Sequence, residues 1–405
     1  MTELDYQPIS LKDVLIEMKD ISELMVDLAY SAILFESKDI AREVITLEES
    51  MNQMVYQARI QSMLGTRRIE EAEAMSGLLQ VAEAAEKISN SASDISQLVL
   101  KDYPFPARLR QAFPEAEEVT VRSVVRRGSP IDGRTLGEMK LQSNTGMRAI
   151  AIRRGTSWIF DPDRDTHVVN GDILIAKGPQ AGESPLLEIT GGGGPGESAR
   201  EEPPHMVLMD DLGRAARVMV EMKNISELSV GLAYTALLFE NKEIAHEVVS
   251  LDGRMEDMRY QLDLWILEAA RKVPDVEVLR TMLYLSSFAD TISSAARAIV
   301  DVVLRDIEIP AIVKKIIRES DEIITHVTVR PDSPLEGKTL KEVTLGTLTG
   351  MVVLAIKSGR QWTYRPGKDM RLRADDLIIA KGRRDGECRL YELAGALEDE
   401  HEREE

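Results

Sequence analysis

Cysteine occurs once in the 405 residues, at Cys388, so no disulfide can form within the chain, and nothing beside that residue marks it as a nucleophile. No Ser, His and Asp constellation stands out either, and the sequence predicts a protein that is not an enzyme. The five histidines, His167, His205, His246, His326 and His401, lie far apart without an i, i+4 pair, which argues against a zinc site. No apolar run of about 18 residues escapes interruption by charged or strongly polar groups, so no segment is expected to insert into a bilayer. Basic charge is in deficit: 50 Lys and Arg against 69 Asp and Glu leave a net charge of −19 and a pI near 4.9. That balance opposes nucleic acid and anionic membrane surfaces as partners. After Met1 comes the acidic, polar TELDYQPIS rather than a basic and then apolar leader, which predicts a cytoplasmic protein.

What is present is a repeat. KDISELMVDLAYSAILFESKDIAREV from Lys19 and KNISELSVGLAYTALLFENKEIAHEV from Lys223 agree at about 18 of 26 positions, at an offset of 204 residues. The same offset carries SPIDGRTL onto SPLEGKTL, TGM at Thr145 onto TGM at Thr349, Trp158 onto Trp362, and DILIAKG onto DLIIAKG. One register held this far means tandem duplication. The junction, GGGGPGESAREEPP over 191–204, has the composition of a flexible linker; four glycines followed by Pro195 and acidic residues do not make a phosphate-binding loop.

Each copy changes hydrophobic period midway. Ile21, Leu24, Leu28, Ala32 and Phe35, like Ile225, Leu228, Leu232, Ala236 and Phe239, step by three and four, the pattern of an amphipathic helix. Ser10 and Asp210 or Asp211 are suited to N-cap these helices, and further helices are expected over Asp39–Leu64 and Arg67–Leu100. Their Ala-, Leu-, Ile- and Met-rich faces, poor in aromatics, suit close helix packing. Tyr103-Pro104-Phe105-Pro106 and Ile309-Pro310 end the bundles. Short alternating strands follow around Val119–Val124, Met147–Ile152, Trp158–Phe160 and Ile173–Ala176, with Thr135 placed to cap a short helix. Trp158 and Trp362 hold one strand position in both copies and are expected to pack. Gly337-Lys338-Thr339 imitates a phosphate loop's end, but Asp332 stands where its first glycine belongs.

The pattern SPxxGxTL, TGMxxxAI, FDP or YRP, and DxxIAKG resembles the C-terminal domain of TrkA-type potassium-transport regulators, the RCK C-terminal domain. The helical part, most clearly EMKDISELMVDLAYSAILFESKDIAREV and its twin, resembles a PhoU three-helix bundle. The pairing is similar to archaeal proteins that join PhoU and TrkA-C domains. The resemblance implies a multidomain α and α+β chain: PhoU-like bundles over 8–103 and 208–308, TrkA-C modules over 115–190 and 319–397, and the linker between. It also implies a regulator of potassium or related cation transport that senses a small ligand or ion and acts on a membrane transporter or channel subunit. Such a protein would lie in the cytoplasm or peripheral to the membrane. Alternatives are a PhoU-like metal-binding adaptor for phosphate uptake and a scaffold without ligand.

For sites, the resemblance implies less. PhoU domains hold metal clusters on E(D)xxxD motifs, which place two carboxylates on one helix face; here the pairs read Glu86 and Asn90, Asp290 and Ser294, Glu23 and Asp27, Glu227 and Gly231. The acidic positions kept in both copies are Glu36, Asp39 and Glu43, with Glu240, Glu243 and Glu247, candidates for a cation or a solvated face partnered by Lys38, Arg42 and Lys242. Some RCK C-terminal domains bind cyclic di-AMP between modules through an Arg and an Asn. The ungapped positions here are Gln142 and Arg148, or Gly346 and Val352, so the polar pair is missing. Arg148, Arg153 and Arg154 remain candidates for facing an anion. No cofactor is expected. Because TrkA-C modules generally pair, the fused copies are expected to form an intramolecular pseudo-dimer, with room for a further homo-oligomer, and divergence at Asn144/Leu348, Arg148/Val352 and Asp27/Gly231 predicts that only one half keeps a regulatory contact.

Overall fold

A computed structural model describes residues 11–65, 68–113, 118–192, 211–271, 276–307, 323–382 and 384–396. The linker from 193 to 204, the N-cap candidates Ser10 and Asp210, Ile309-Pro310, His205 and His401 lie outside them, as do the outermost residues of the domain ranges inferred from sequence. In chain order come α1 (Leu11–Leu34), α2 (Lys38–Gly65), α3 (Ile69–Leu100), α4 (Ala107–Ala112), β1 (Glu118–Val124), α5 (Leu141–Thr145), β2 (Arg148–Arg154), β3 (Ser157–Phe160), β4 (Ile173–Pro179) and α6 (Glu183–Thr190). The second copy gives α7 (Asp211–Phe239), α8 (Lys242–Ala269), α9 (Val276–Leu304), β5 (Ile323–Thr328), α10 (Leu340–Val343), α11 (Leu345–Thr349), β6 (Val352–Ser358), β7 (Gln361–Tyr364), β8 (Leu377–Gly382) and α12 (Arg384–Ala394). Asp211 is the first described residue of α7. The chain divides into two compact units, and each unit draws on both copies: 1–116 with 206–320, and 117–205 with 321–405.

The first unit is all helix, two three-helix bundles joined along α3 and α9. Equivalent residues open the second helix of each bundle, the Ser37 hydroxyl accepting from the Ile40 amide at 3.4 Å and the Asn241 side chain from the Ile244 amide at 3.1 Å. Equivalent ion pairs, Lys38 to Asp102 and Lys242 to Asp306, tie each α1–α2 or α7–α8 turn to the end of the third helix, where the Asp backbone is left-handed. Pro104 and Pro106 follow. The short α4 beyond them was not foreshadowed by any period in the sequence; it packs on α7, and Phe113 at its end meets the Tyr30 ring edge-on with centroids 6.2 Å apart. The stripe expected on α1 is there, with Leu24, Leu28 and Ala32 buried. The opposite face is buried too, at Lys19, Ser22 and Tyr30, so α1 is a central helix rather than a surface one. Each fully buried Leu or Ile contributes roughly 2 kcal/mol.

The second unit holds two four-stranded antiparallel sheets of identical order, β1-β4-β2-β3 and β5-β8-β6-β7. The ladder slips between Ala149 and Ala151, and again between Val353 and Ala355, so both copies carry the same bulge. In the first module Ile131, Met147, Ile152, Leu174 and Leu186 form the core under α6; Leu335, Met351, Ile356, Ile378 and Leu390 do so in the second. Thr135 makes both bonds of a cap with Glu138, at 3.1 and 3.0 Å, but a turn follows rather than the short helix expected; its twin Thr339 makes a full capping box with Glu342 at the start of α10. Trp158 stacks on Phe160 and Trp362 on Tyr364, with Arg153 and Lys357 over the respective indoles.

Candidate functional site

Among the contacts between the copies, two set equivalent residues of the repeat face to face. In the sheet unit α5 packs against α11. The Gln142 amide donates to the Gly350 carbonyl at 3.1 Å. A Cβ on Gly350 would lie 2.7 Å from Gln142 Cγ, and one on Gly146 would lie 2.8 Å from the Gly346 carbonyl oxygen. Gly346 is the repeat mate of Gln142, and Gly350 that of Gly146. The contact is therefore isologous, each module offering the same surface to the other, as in a two-fold dimer. Both Gly146 and Gly350 are left-handed, at φ +74° and +67°, and end their helices there. Gln142, aligned from sequence with a nucleotide-contacting position, is thus engaged between the modules.

In the helical unit the facing pair is Lys19 and Lys223. Lys19 is 2% exposed and its ammonium lies 3.2 Å from both Asp20 and Glu23; Lys223 is 5% exposed and lies 2.7 Å from Glu227. Each ammonium also sits over a tyrosine of the other copy, Lys19 at 5.7 Å from the Tyr234 ring and Lys223 at 5.4 Å from the Tyr30 ring. Ser22 and Ser226 donate to the carbonyls of Lys19 and Lys223 at 2.8 Å, so these hydroxyls are satisfied inside the helix. Sequence reasoning missed this site. Lys and Glu four apart on a helix read as a surface pair; the signal available was that Lys, Glu and Tyr recur unchanged in both copies.

The anion candidates go to three separate partners. Arg148, nearly buried, meets Asp161 at 3.0 Å. Arg153 lies over Trp158. Arg154 grips the buried Asp172 with two bonds, 2.9 and 2.8 Å, and donates to the His167 carbonyl at 2.7 Å; the Asp172 hydrogen bond raises its pKa further. The structure does not gather the three into one site.

Of the acidic candidates, Glu36 and Glu240 occupy left-handed turn positions, Asp39 pairs with Arg42 at 2.6 Å, and Glu243 lies in the first turn of α8. Glu43 and Glu247 are half-buried, and burial pushes both carboxyls up; for Glu247 Arg254 pulls the other way. Among the described residues no three His, Cys, Asp or Glu side chains form a group able to hold a metal ion. At two of the three broken E(D)xxxD pairs an arginine meets the surviving carboxylate: Arg59 lies 3.5 Å from Glu86, and Arg259 lies 2.8 Å from Asp290; at the third, Glu227 meets Lys223. The repeat mate of Arg59 is Asp263, so the second copy supplies its arginine one helical turn earlier. Asp290 is pushed up by burial, against the opposing pull of Arg259.

The TrkA-C domain model matches residues 120–190 and 324–395, and the PhoU domain model matches 15–99 and 219–305. A search of the curated proteins gives no match. Among solved structures, PhoU from Pseudomonas aeruginosa is similar at 11% identity and a TM-score of 0.40, over 73% of this chain and 96% of that one. The GsuK RCK domain is similar at 14% identity and a TM-score of 0.18, over 69% of this chain and 64% of that one. The GsuK channel bound to NAD gives 13% and 0.18, over 80% and 65%.

Proposed function

Since this chain is a tandem protein of two PhoU domains and two TrkA-C domains, we propose that it is a non-enzymatic, cytoplasmic regulator of potassium or related monovalent cation transport. In this reading it senses a small ligand or ion and modulates a membrane transporter or channel. The observation that carries the reading is the isologous contact of Gln142 and Gly146 with Gly350 and Gly346. A paired module is the unit in which two equivalent surfaces can change together, so a ligand favouring one arrangement shifts both copies at once. Among the described residues no helix is long and apolar enough to cross a membrane; in this reading the transport step belongs to the partner. The arginines over Glu86 and Asp290 weigh against the alternative of a metal-binding adaptor for phosphate uptake, because a guanidinium supplies the positive charge a metal would otherwise bring.

The test is affinity capture of the tagged protein from detergent-solubilised membranes of its native host, with bound proteins identified by mass spectrometry. A potassium channel or transporter, recovered over the untagged control, supports the reading. A phosphate transporter or its sensor kinase in its place would favour the adaptor.

A further inference from the structure

The whole chain is acidic, yet one ribbon of the second TrkA-C module is not. Residues 337–341 pair antiparallel with 368–372: the Gly337 amide donates to the Leu372 carbonyl at 2.9 Å, Leu372 to Lys338 at 2.8 Å, Leu340 to Met370 at 3.0 Å and Lys341 to Lys368 at 2.8 Å. Thr339 stands opposite Arg371, so Lys338 faces Leu372, whose chain neighbours are Arg371 and Arg373, and the Lys341 amide meets the Lys368 carbonyl. All five side chains are exposed. Three carboxylates lie on the ribbon or one residue beyond it, Glu336, Asp369 and Glu342; Glu336 accepts from the Asp332 amide at 2.7 Å, and Glu342 is committed to the Thr339 amide and hydroxyl at 2.7 and 3.1 Å. Those Thr339 bonds hold the Glu342 carboxyl below its ordinary value, and Arg371 and Lys338 lower it further, which registers the local positive potential.

The first module lacks this patch. Its equivalent positions are Arg134, Gly137, Arg164, His167 and Val169, accompanied by Asp132, Glu138, Asp163 and Asp165. Five cations against three carboxylates in one copy stand against two cations and four carboxylates in the other, so the excess is not imposed by the fold.

We propose that this ribbon is a docking surface for the anionic headgroups of a lipid bilayer. Three of the five cations are lysines, which protein interfaces deplete and which serve a diffuse anionic surface as flexible point charges. Clusters of about four to eight Lys and Arg are what an anionic leaflet attracts. The ribbon exposes no large apolar side chain, so contact is electrostatic and does not insert. The net charge of −19 does not forbid this, because charges more than a Debye length of about 8 Å away are largely screened. The inference rests on the ribbon alone and stands whether or not the transport reading does.

The test is flotation of the full-length protein with vesicles of phosphatidylcholine, with and without phosphatidylglycerol, which contain no transporter. The parent should float with the anionic vesicles and not the neutral ones. The triple variant K338Q/K341Q/K368Q should lose binding by roughly tenfold or more, while R134Q/R164Q, which alters the equivalent ribbon of the first module, should keep it. Circular dichroism of both variants establishes that they remain folded. Equal binding to both vesicle types, binding to neither, or a triple variant that floats like the parent would overturn the proposal. Binding to duplex DNA as tight as to anionic vesicles, with the same loss in the triple variant, would also overturn it, by making the ribbon a general polyanion site.

Discussion

Gln142 donates its side-chain amide to the backbone carbonyl of Gly350 at 3.1 Å, and its repeat mate Gly346 approaches Gly146, the repeat mate of Gly350. One chain thereby sets equivalent surfaces of its two modules against each other. The two copies have kept the backbone geometry and let the side chain differ: only one side carries an amide.

This contact can be tested against an internal control. Gly350→Ala should cost about 1–3 kcal/mol in thermal or denaturant unfolding, from the strained backbone and from the Cβ meeting Gln142. Gly359→Ala, at φ +62° with nothing within 4 Å of the added carbon, should carry only the backbone part, about 1 kcal/mol. Equal losses in both variants would mean the contact adds nothing.

The buried lysines give a second test. Lys19→Met takes the buried ammonium from Asp20 and the largely covered Glu23 and should destabilise the helical unit by about 3 kcal/mol or more, whereas Lys19→Met with Glu23→Leu should recover much of the loss. If the double variant unfolds as readily as the single one, the ion pair is not what sets the cost.

The pH dependence follows from Glu43 and Glu247. Burial raises both carboxyls in the folded state, so the folded chain holds their protons more firmly than the unfolded chain does. Their ionisation therefore costs stability at neutral pH, and the cost disappears as pH falls through the raised values toward the ordinary glutamate value of about 4.3. Glu43→Gln with Glu247→Gln should be more stable than the parent at pH 7, by a few tenths of a kcal/mol for these half-exposed groups, with the advantage shrinking on acidification. An advantage that grows toward acid would reverse the sign of the argument.

Chelation is the fourth test. With Arg59 and Arg259 on Glu86 and Asp290, incubation with EDTA should leave the melting temperature unchanged, and metal analysis should find no stoichiometric iron or manganese. A fall in melting temperature, restored by manganese or iron, would revive the PhoU-type cluster.

Much of this architecture was legible because periodicity and repetition are local. The step of three and four from Ile21 to Phe35, and the alternation around Val119 and Ile173, report elements whose burial their own sequence dictates. The second burial of α1 was not legible, since Lys19 and Tyr30 are covered by residues some two hundred positions away. The fate of the arginines was hidden for the same reason: nothing near Arg154 in sequence tells that Asp172 will claim it across the sheet. In the ribbon of the second module, Lys338 and Lys368 stand far apart in sequence, and only the pairing of 337–341 with 368–372 makes them one patch.

The measurement that tests the central claim most directly is potassium uptake in the native host after deletion of the gene, with phosphate uptake measured in the same cells. Regulation of cation transport predicts altered potassium flux, restored by the intact gene and not by one carrying Gly350→Ala at a temperature where that variant remains folded, with phosphate uptake unchanged. Normal potassium flux together with deregulated phosphate uptake would contradict the claim.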